Sequence, residues 1–323
     1  MIGILNKAKG LLKLIIYNIL NTTGLYRVFV RKFGYPKILM YHRVCNINGI
    51  SSISKDEFEK QIIFIKKNFT ILPIDKLLVL ENTCDIYKKA ISITFDDGYE
   101  DFYDVAWPII KKHSIPVTLY ITTDFSANKC WLWPDKIKSL LENSQESQIN
   151  IEPFGNVELS YVNILNNWHM FGDYCLELNT IKRDIFLATL EEALSVKLPK
   201  TPPIPFRAVN FEQLKEMSKD GLDIGSHTVT HPVLSKLEDS VLKFELEKSK
   251  KLLETTLNKR IQGICYPNGM PADINNNVIK YAKECGYKYG LMACEEKKLY
   301  SDRYRVGRIS SREKTEVLAF KLL

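Results

Sequence analysis

The run Ala90-Ile91-Ser92-Ile93-Thr94-Phe95 is apolar and β-branched enough to form a buried strand, yet it passes without a spacer into Asp96-Asp97-Gly98. A chain that does this must bury the strand while bringing two carboxylates to its carboxyl end, and Gly98 allows the tight exit. The α/β folds, in which ligands gather at the carboxyl ends of strands, meet both demands. Two neighbouring aspartates repel each other when both are ionised, so such a fold is expected to supply a cation or to let one of them keep a proton. Taken alone, Asp-Asp-Gly is an ordinary exposed turn. The rest of the chain gives it more weight.

Strand and helix patterns alternate on both sides of this run. Residues 36–44 form an apolar strand that ends in Tyr41-His42-Arg43, and residues 55–70 have the spacing of an amphipathic helix. After the acidic pair come a helix over 103–113 and a strand over 116–122. Asn210 is a candidate cap for a helix that stops at Gly221, before the strand and exit loop Leu222-Asp223-Ile224-Gly225-Ser226-His227-Thr228-Val229-Thr230-His231-Pro232. A long charged helix over 237–257 leads into the strand Gly263-Ile264-Cys265-Tyr266-Pro267, followed by a helix over 278–285 and a strand near 289–293. The order strand, helix, strand predicts parallel βαβ units, and with no solenoid-period repeat the economical architecture is an α/β barrel.

The pattern loosens at about 126–205, which reads as an insertion with one strand near 157–162 and helical spacing over 180–194. Trp131 and Trp133 there suit either a sugar-stacking wall or a small local core. Residues 1–36 read as a helical extension: Ile2, Leu5, Leu12, Ile16 and Ile19 fall near helical spacing among Lys7, Lys9 and Lys13. Neither a spanning helix nor a signal peptide is expected from this stretch. It suits a helix packed on the body or peripheral contact with a membrane surface. The barrel domain is expected over 37–323, in the cytoplasm or at a membrane periphery.

The 323 residues, 45% hydrophobic and 26% charged, are those of a folded globular chain. A net charge of +7, with lysines scattered among acids except near the start, does not point to nucleic acid. Seven cysteines with no C-x-x-C pair favour a reducing compartment.

Only five histidines occur, and His227 and His231 sit together in one loop after a strand. Two imidazoles four residues apart can face one ion, and one carboxylate of the Asp96–Asp97 pair completes a three-ligand set with a spare carboxylate beside it. A hydrolytic zinc site requires three protein ligands and an open position. No Glu follows His227, so the H-E-x-x-H pattern of metalloproteases is absent.

Thr94-Phe95-Asp96-Asp97-Gly98, then Ser226-His227-Thr228 with His231-Pro232, then Tyr266-Pro267-Asn268-Gly269, resembles in kind and order the motif set of the polysaccharide deacetylase family, the NodB homology domain. The likeness covers roughly residues 37–310. It implies a distorted (β/α)7 barrel, a divalent metal, usually Zn2+, and removal of acetyl groups from N-acetylated sugars. Carried over, Asp97, His227 and His231 would hold the metal and Asp96 would be the general base. The third motif would bring Tyr266 and Asn268 to the oxyanion or substrate.

Two positions depart from the family pattern. Cys265 stands where the family's base-orienting arginine is expected, with Arg308 the candidate substitute, at the base or against oxyanion or substrate. No histidine follows His231, so the family's usual general acid is missing. His42, in Met40-Tyr41-His42-Arg43-Val44, is similar to the first-strand motif of the branch acting on poly-N-acetylglucosamine and other surface polysaccharides, which makes it the expected acid. An O-acetyl esterase or small-amide amidohydrolase would use the same metal site. An inactive glycan-binding protein would explain the two departures but not the retained Asp96.

Overall fold

The computed structural model describes residues 2–45, 52–295 and 302–323. Eight short strands make one sheet: β1 (Lys37–Tyr41), β2 (Thr70–Ile71), β3 (Ala90–Phe95), β4 (Thr118–Ile121), β5 (Asp223–Ser226), β6 (Gly263–Cys265), β7 (Tyr289–Leu291) and β8 (Ile309–Ser310). Their lateral order is β7-β6-β5-β4-β3-β1-β8, with β2 paired to β3 off this path, and every pairing is parallel. β1 lies along all of β3 from Ile91 to Phe95, so β2 takes the other edge of β3, below the point where β4 joins at Thr94. Leu291 at the end of β7 bridges Val306, and the same stretch of chain runs on into β8 beside β1. Residues 306–310 thereby draw the two edges together, and the seven strands of the path form a distorted (β/α)7 barrel.

The period of two along each strand sorts side chains into two layers. Ile91, Ile93 and Phe95 of β3, with Leu39, Leu119, Ile224 and Ile264, pack outward into the main core under the helices. Ile38, Ala90, Tyr120, Cys265, Tyr289 and Leu291 form a second cluster inside the barrel, with Ile74, Leu77 and Leu78 packed against it. On β3 the inward series Ala90, Ser92, Thr94 continues to Asp96. The apolar periodicity that makes β3 a strand therefore also aims this carboxylate into the barrel mouth.

Residues from Trp133 to Leu198 have an apolar cluster of their own, built on helices Trp133–Asn143, Ile164–Glu177 and Thr180–Ala193 and a hairpin of Gln148–Ile151 with Gly155–Glu158. The expected strand over 157–162 is shorter and lies earlier than its sequence suggests, because the hairpin turn Glu152-Pro153-Phe154 sets its register and Ser160 begins a turn. Trp133 belongs to this core, and Trp131 is buried with its ring 5.8 Å from that of Phe206.

The extension is two helices, α1 (Ile2–Thr22) and α2 (Leu25–Phe33), joined at Gly24, whose φ of 76° puts it in the left-handed region that glycine adopts freely. Tyr17 and Leu20 of α1 pack on the main core, as do the buried Tyr26 and Val30 of α2. The Tyr26 hydroxyl donates to the Ala319 carbonyl at 2.8 Å. Among the described residues no helix is long and apolar enough to cross a membrane.

Candidate active site

All the candidate site residues except Arg308 stand at strand carboxyl ends around one cleft, and all of their side chains but that of Tyr266 project into it. β1 hands off to His42, β3 to Asp96 and Asp97, β5 to His227 and β6 to Tyr266 and Asn268. The cleft encloses about 180 Å³ and is lined by all seven of these residues, counting His231.

Asp97 and the two histidines converge on one point. Asp97 Oδ1 lies 3.3 Å from His227 Nε2 and 3.5 Å from His231 Nε2. The three donor atoms lie within 4.8 Å of one another, on residues that are all buried. His227 Nδ1 donates to the Cys265 carbonyl at 2.7 Å, which fixes the tautomer and leaves Nε2 free to act as a ligand. Asp97 Oδ1 is buried without a hydrogen-bond partner, a costly state for a carboxylate oxygen unless a cation shares the site. Donor chemistry, spacing and the orphaned oxygen fit a divalent metal held by one carboxylate and two imidazoles.

Burial alone would raise the Asp97 carboxyl, but the three surrounding histidines outweigh it and hold its pKa below the usual range. Burial, reinforced by neighbouring His227, pushes His231 down to about 3, so it is a neutral imidazole suited to a metal. Burial also works against a charge on His227, yet Cys265 and the two aspartates prevail and raise its pKa. A metal at His227 must therefore displace a proton.

The loop that presents the histidines is tied from beneath. Glu245 accepts from the backbone N–H groups of Val229 and Thr230 at 2.8 and 3.0 Å and from the Thr230 hydroxyl at 2.7 Å. Asp97, Thr228, His231 and Asn268 all have φ between 58° and 71°. Non-glycine residues in the left-handed region cost conformational energy, and their clustering here is the pattern of a backbone bent to aim side chains. Gly98 has a φ of 86°, in the left-handed region that favours glycine, and a Cβ there would press on Ile121 Cδ1 at 2.7 Å.

Asp96 is held differently. Arg308, fully buried, reaches it from just before β8, donating from Nη1 to Oδ1 and from Nη2 to Oδ2, each at 2.7 Å. The same guanidinium donates to Thr94 Oγ1, the Met292 carbonyl and Cys265 Sγ. Arg308 does not line the cleft, so its position matches orientation of Asp96 rather than contact with a substrate. Cys265 Sγ sits 3.4 Å from Asp96 Oδ2, so the cysteine at the motif position leaves room that an arginine from just before β8 fills. Burial would raise the Asp96 pKa, but Arg308 overrides it and holds the carboxyl well below the usual carboxylate range. A second donor group, Asp96 with His227 and Cys265, is less suited to a metal because Arg308 engages both oxygens of Asp96.

His42 stands across the cleft with Nε2 3.9 Å from Asp96 Oδ2 and its side chain 26% exposed. Tyr266 lines the cleft, but its hydroxyl points away and donates to the Tyr304 carbonyl at 3.0 Å. Asn268 Nδ2 is buried without a partner, a donor available to a ligand oxygen.

The far wall of the cleft comes from residues the motifs do not flag. Leu132, Pro134, Asp135, Lys138 and Trp168 face the site, and Trp168 Nε1 is fixed by donating to the Pro134 carbonyl at 2.9 Å. Neither Trp131 nor Trp133 lines the cleft; the tryptophan that does is Trp168. Asp135 accepts from the Tyr99 hydroxyl at 2.8 Å, and burial pushes its carboxyl up to about 7 against the pull of Arg43 and Tyr99. Glu245 was detectable from sequence as the one acid in the buried stripe Leu242, Glu245, Leu246, Ser249, Leu253. The wall residues carried no such signal.

The family model described as "Polysaccharide deacetylase" matches residues 85–150 and 203–290, which leave out most of the segment with its own core and include Asp96, Asp97, His227, His231 and Asn268. A Bacillus subtilis protein named as a polysaccharide deacetylase, YxkH, is 23% identical over 79% of this chain, which spans 63% of that relative's length. A poly-beta-1,6-N-acetyl-D-glucosamine N-deacetylase of Staphylococcus aureus is 24% identical over 84% of this chain and 77% of its own. Among solved structures, the Streptococcus pyogenes deacetylase PplD in complex with acetate superposes with a TM-score of 0.57 at 21% identity, covering 89% of this chain and 97% of its own. IcaB from Ammonifex degensii gives 0.56 at 17% identity, covering 89% and 96%. The motif order, the parallel barrel and the matching family model together support a polysaccharide deacetylase family for this chain.

Proposed function

We propose that the chain is a metal-dependent hydrolase that removes N-acetyl groups from acetamido sugars of a surface polysaccharide or related glycan. The observation that carries this reading is a buried Asp97–His227–His231 donor set beside a second, separately held carboxylate, with an imidazole facing that carboxylate across the cleft. Asp97, His227 and His231 would hold the cation, most simply Zn2+, which when bound polarises the acyl carbonyl and acidifies water.

Asp96 accepts the proton of the attacking water. Arg308 favours the ionised carboxylate and fixes its plane, which keeps it in the form a base requires. Asn268 Nδ2 is placed to donate to the developing oxyanion. His42, protonated, gives its proton to the leaving amine; its ring lies 3.9 Å from Asp96 and is exposed enough to meet a substrate. Trp168, with Leu132 and Pro134, offers an apolar face for a sugar ring, and Asp135 and Lys138 offer polar groups for its hydroxyls. The names of the Staphylococcus aureus relatives support an N-acetylglucosamine polymer as substrate. A non-catalytic reading loses much of its motive, since the base-orienting arginine that the motif lacks is replaced in space by Arg308.

Acetate release from N-acetylglucosamine oligomers by the metal-loaded protein tests the proposal, with O-acetylated oligomers as the comparison. In the same assay His42→Ala is expected to lower turnover by roughly 10²- to 10⁴-fold while metal stays bound. Unchanged turnover would remove His42 from the proton-transfer role.

A further inference from the structure

We infer that the outward face of the α1–α2 pair is a docking surface for an anionic phospholipid membrane. Both helices spend one face on the body of the protein and leave a second apolar face uncovered. On α1, Leu12, Ile15, Ile16 and Ile19 fall at i, i+3, i+4 and i+7 and are between 37% and 58% exposed, while Tyr17 and Leu20 pack inward. On α2, Leu25, Val28, Phe29 and Phe33 are between 44% and 60% exposed, while Tyr26 and Val30 are buried. Apolar side chains in such numbers on one short helical pair exceed the scattered exposure normal for a soluble surface.

Charge selects the partner. Residues 1–35 carry Lys7, Lys9, Lys13, Arg27, Arg31 and Lys32 and no acidic residue, so nearly all of the chain's net +7 resides in this segment. On α2 a cation borders the apolar residues: Lys32 Nζ lies 5.2 Å over the Phe33 ring, which in turn lies 6.2 Å from Phe29. A basic helix with an exposed apolar face lies in the plane of an anionic membrane, the stripe in the acyl boundary and the cations among the headgroups. A second copy of this chain is a poor occupant, because docking like on like would oppose two sets of uncompensated cations. α2 leads into the amino end of β1, whereas His42 and the cleft lie at its carboxyl end, so docking leaves the cleft open.

Co-sedimentation of the full chain with vesicles of phosphatidylglycerol and phosphatidylcholine, against vesicles of phosphatidylcholine alone, tests the inference. Binding is expected only to the anionic vesicles and is expected to weaken as salt rises. The triple change Arg27→Gln, Arg31→Gln, Lys32→Gln should lower the partition coefficient on the order of a hundredfold. Val28→Glu with Phe29→Asp should abolish binding, and as exposed positions they should leave the circular dichroism spectrum and melting curve unchanged. If that pair unfolds the protein, Phe33→Ser alone is expected to weaken binding measurably. No binding to anionic vesicles would overturn the inference. So would equal binding by wild type and the charge variant, or a wild-type dimer that Val28→Glu with Phe29→Asp renders monomeric without any lipid binding.

Discussion

Asp97→Ala is expected to leave the protein folded but unable to retain a divalent metal, and to lower turnover on the order of a thousandfold. Asp97 supplies the only carboxylate of the converging donor set, and its Oδ1 is the atom that both Nε2 atoms face. Losing it leaves two imidazoles, a much weaker site, and forfeits the several kcal/mol of charge stabilisation a bound metal provides. Conversion to rate follows from about 1.4 kcal/mol per tenfold. Metal analysis of the purified variant, with acetate release measured in parallel, checks both parts. Full metal occupancy in the variant would show that the ligand set is drawn wrongly. Because His227 must give up a proton to bind metal, occupancy of the wild type should also fall as the pH is lowered.

Arg308→Met is expected to destabilise the fold by about 3–5 kcal/mol, the usual cost of removing one partner of a buried ion pair. The guanidinium is fully buried, donates twice to Asp96 and also satisfies Thr94, the Met292 carbonyl and Cys265, so its loss strands several groups at once. The pH dependence carries a sign. The folded-state pKa of Asp96 is depressed, so its pairing contributes stability that is fully present above the unfolded carboxyl value of about 4. That contribution is lost as the pH falls through the lower folded value. In Arg308→Met only His227 and His42 still oppose burial, and the Asp96 pKa rises. The variant has no pairing to lose on acidification and takes up the proton more readily when folded, so its stability deficit against the wild type should narrow as the pH falls, while its turnover is lost already at mildly acidic pH. Urea unfolding of both proteins across the acidic range measures this. Parallel stability profiles, offset by nothing more than a constant, would show that Arg308 does not govern the ionisation of Asp96.

The two residues differ in how far they could be read from the chain itself. Asp97, His227 and His231 announce themselves because each follows a strand within a short motif, and strand ends are where a parallel barrel places its site. His42 follows β1 for the same reason. Arg308 is 212 positions from Asp96 and sits among several arginines of the last segment, with nothing local to single it out. Its role depends on residues 306–310 closing the barrel between β7 and β1, a tertiary fact. Left-handed backbone at Asp97, Thr228, His231 and Asn268 was equally hidden, since glycine, which commonly signals that conformation, is absent from all four.

The segment between about 126 and 205 was legible in outline only. Its helix over 180–194 has clear periodicity, but the strands of its hairpin are four residues each, too short for alternation to stand out. Which tryptophan reaches the cleft depended on how the helices Trp133–Asn143 and Ile164–Glu177 cross, and Trp133 went to the local core while Trp168 faced the site. In residues 1–36 the sequence suited either packing on the body or contact with a membrane. The folded helices present one apolar face to the core and another to the outside.

The most direct test of the account is the zinc content of the purified protein measured together with acetate release from N-acetylglucosamine oligomers, for the wild type and for Asp96→Asn. The account predicts metal in both proteins and acetate release from the wild type alone, with the variant slower by roughly 10²- to 10⁴-fold. Metal-bound wild type that releases no acetate, or an Asp96→Asn variant that releases it at the wild-type rate, would contradict it.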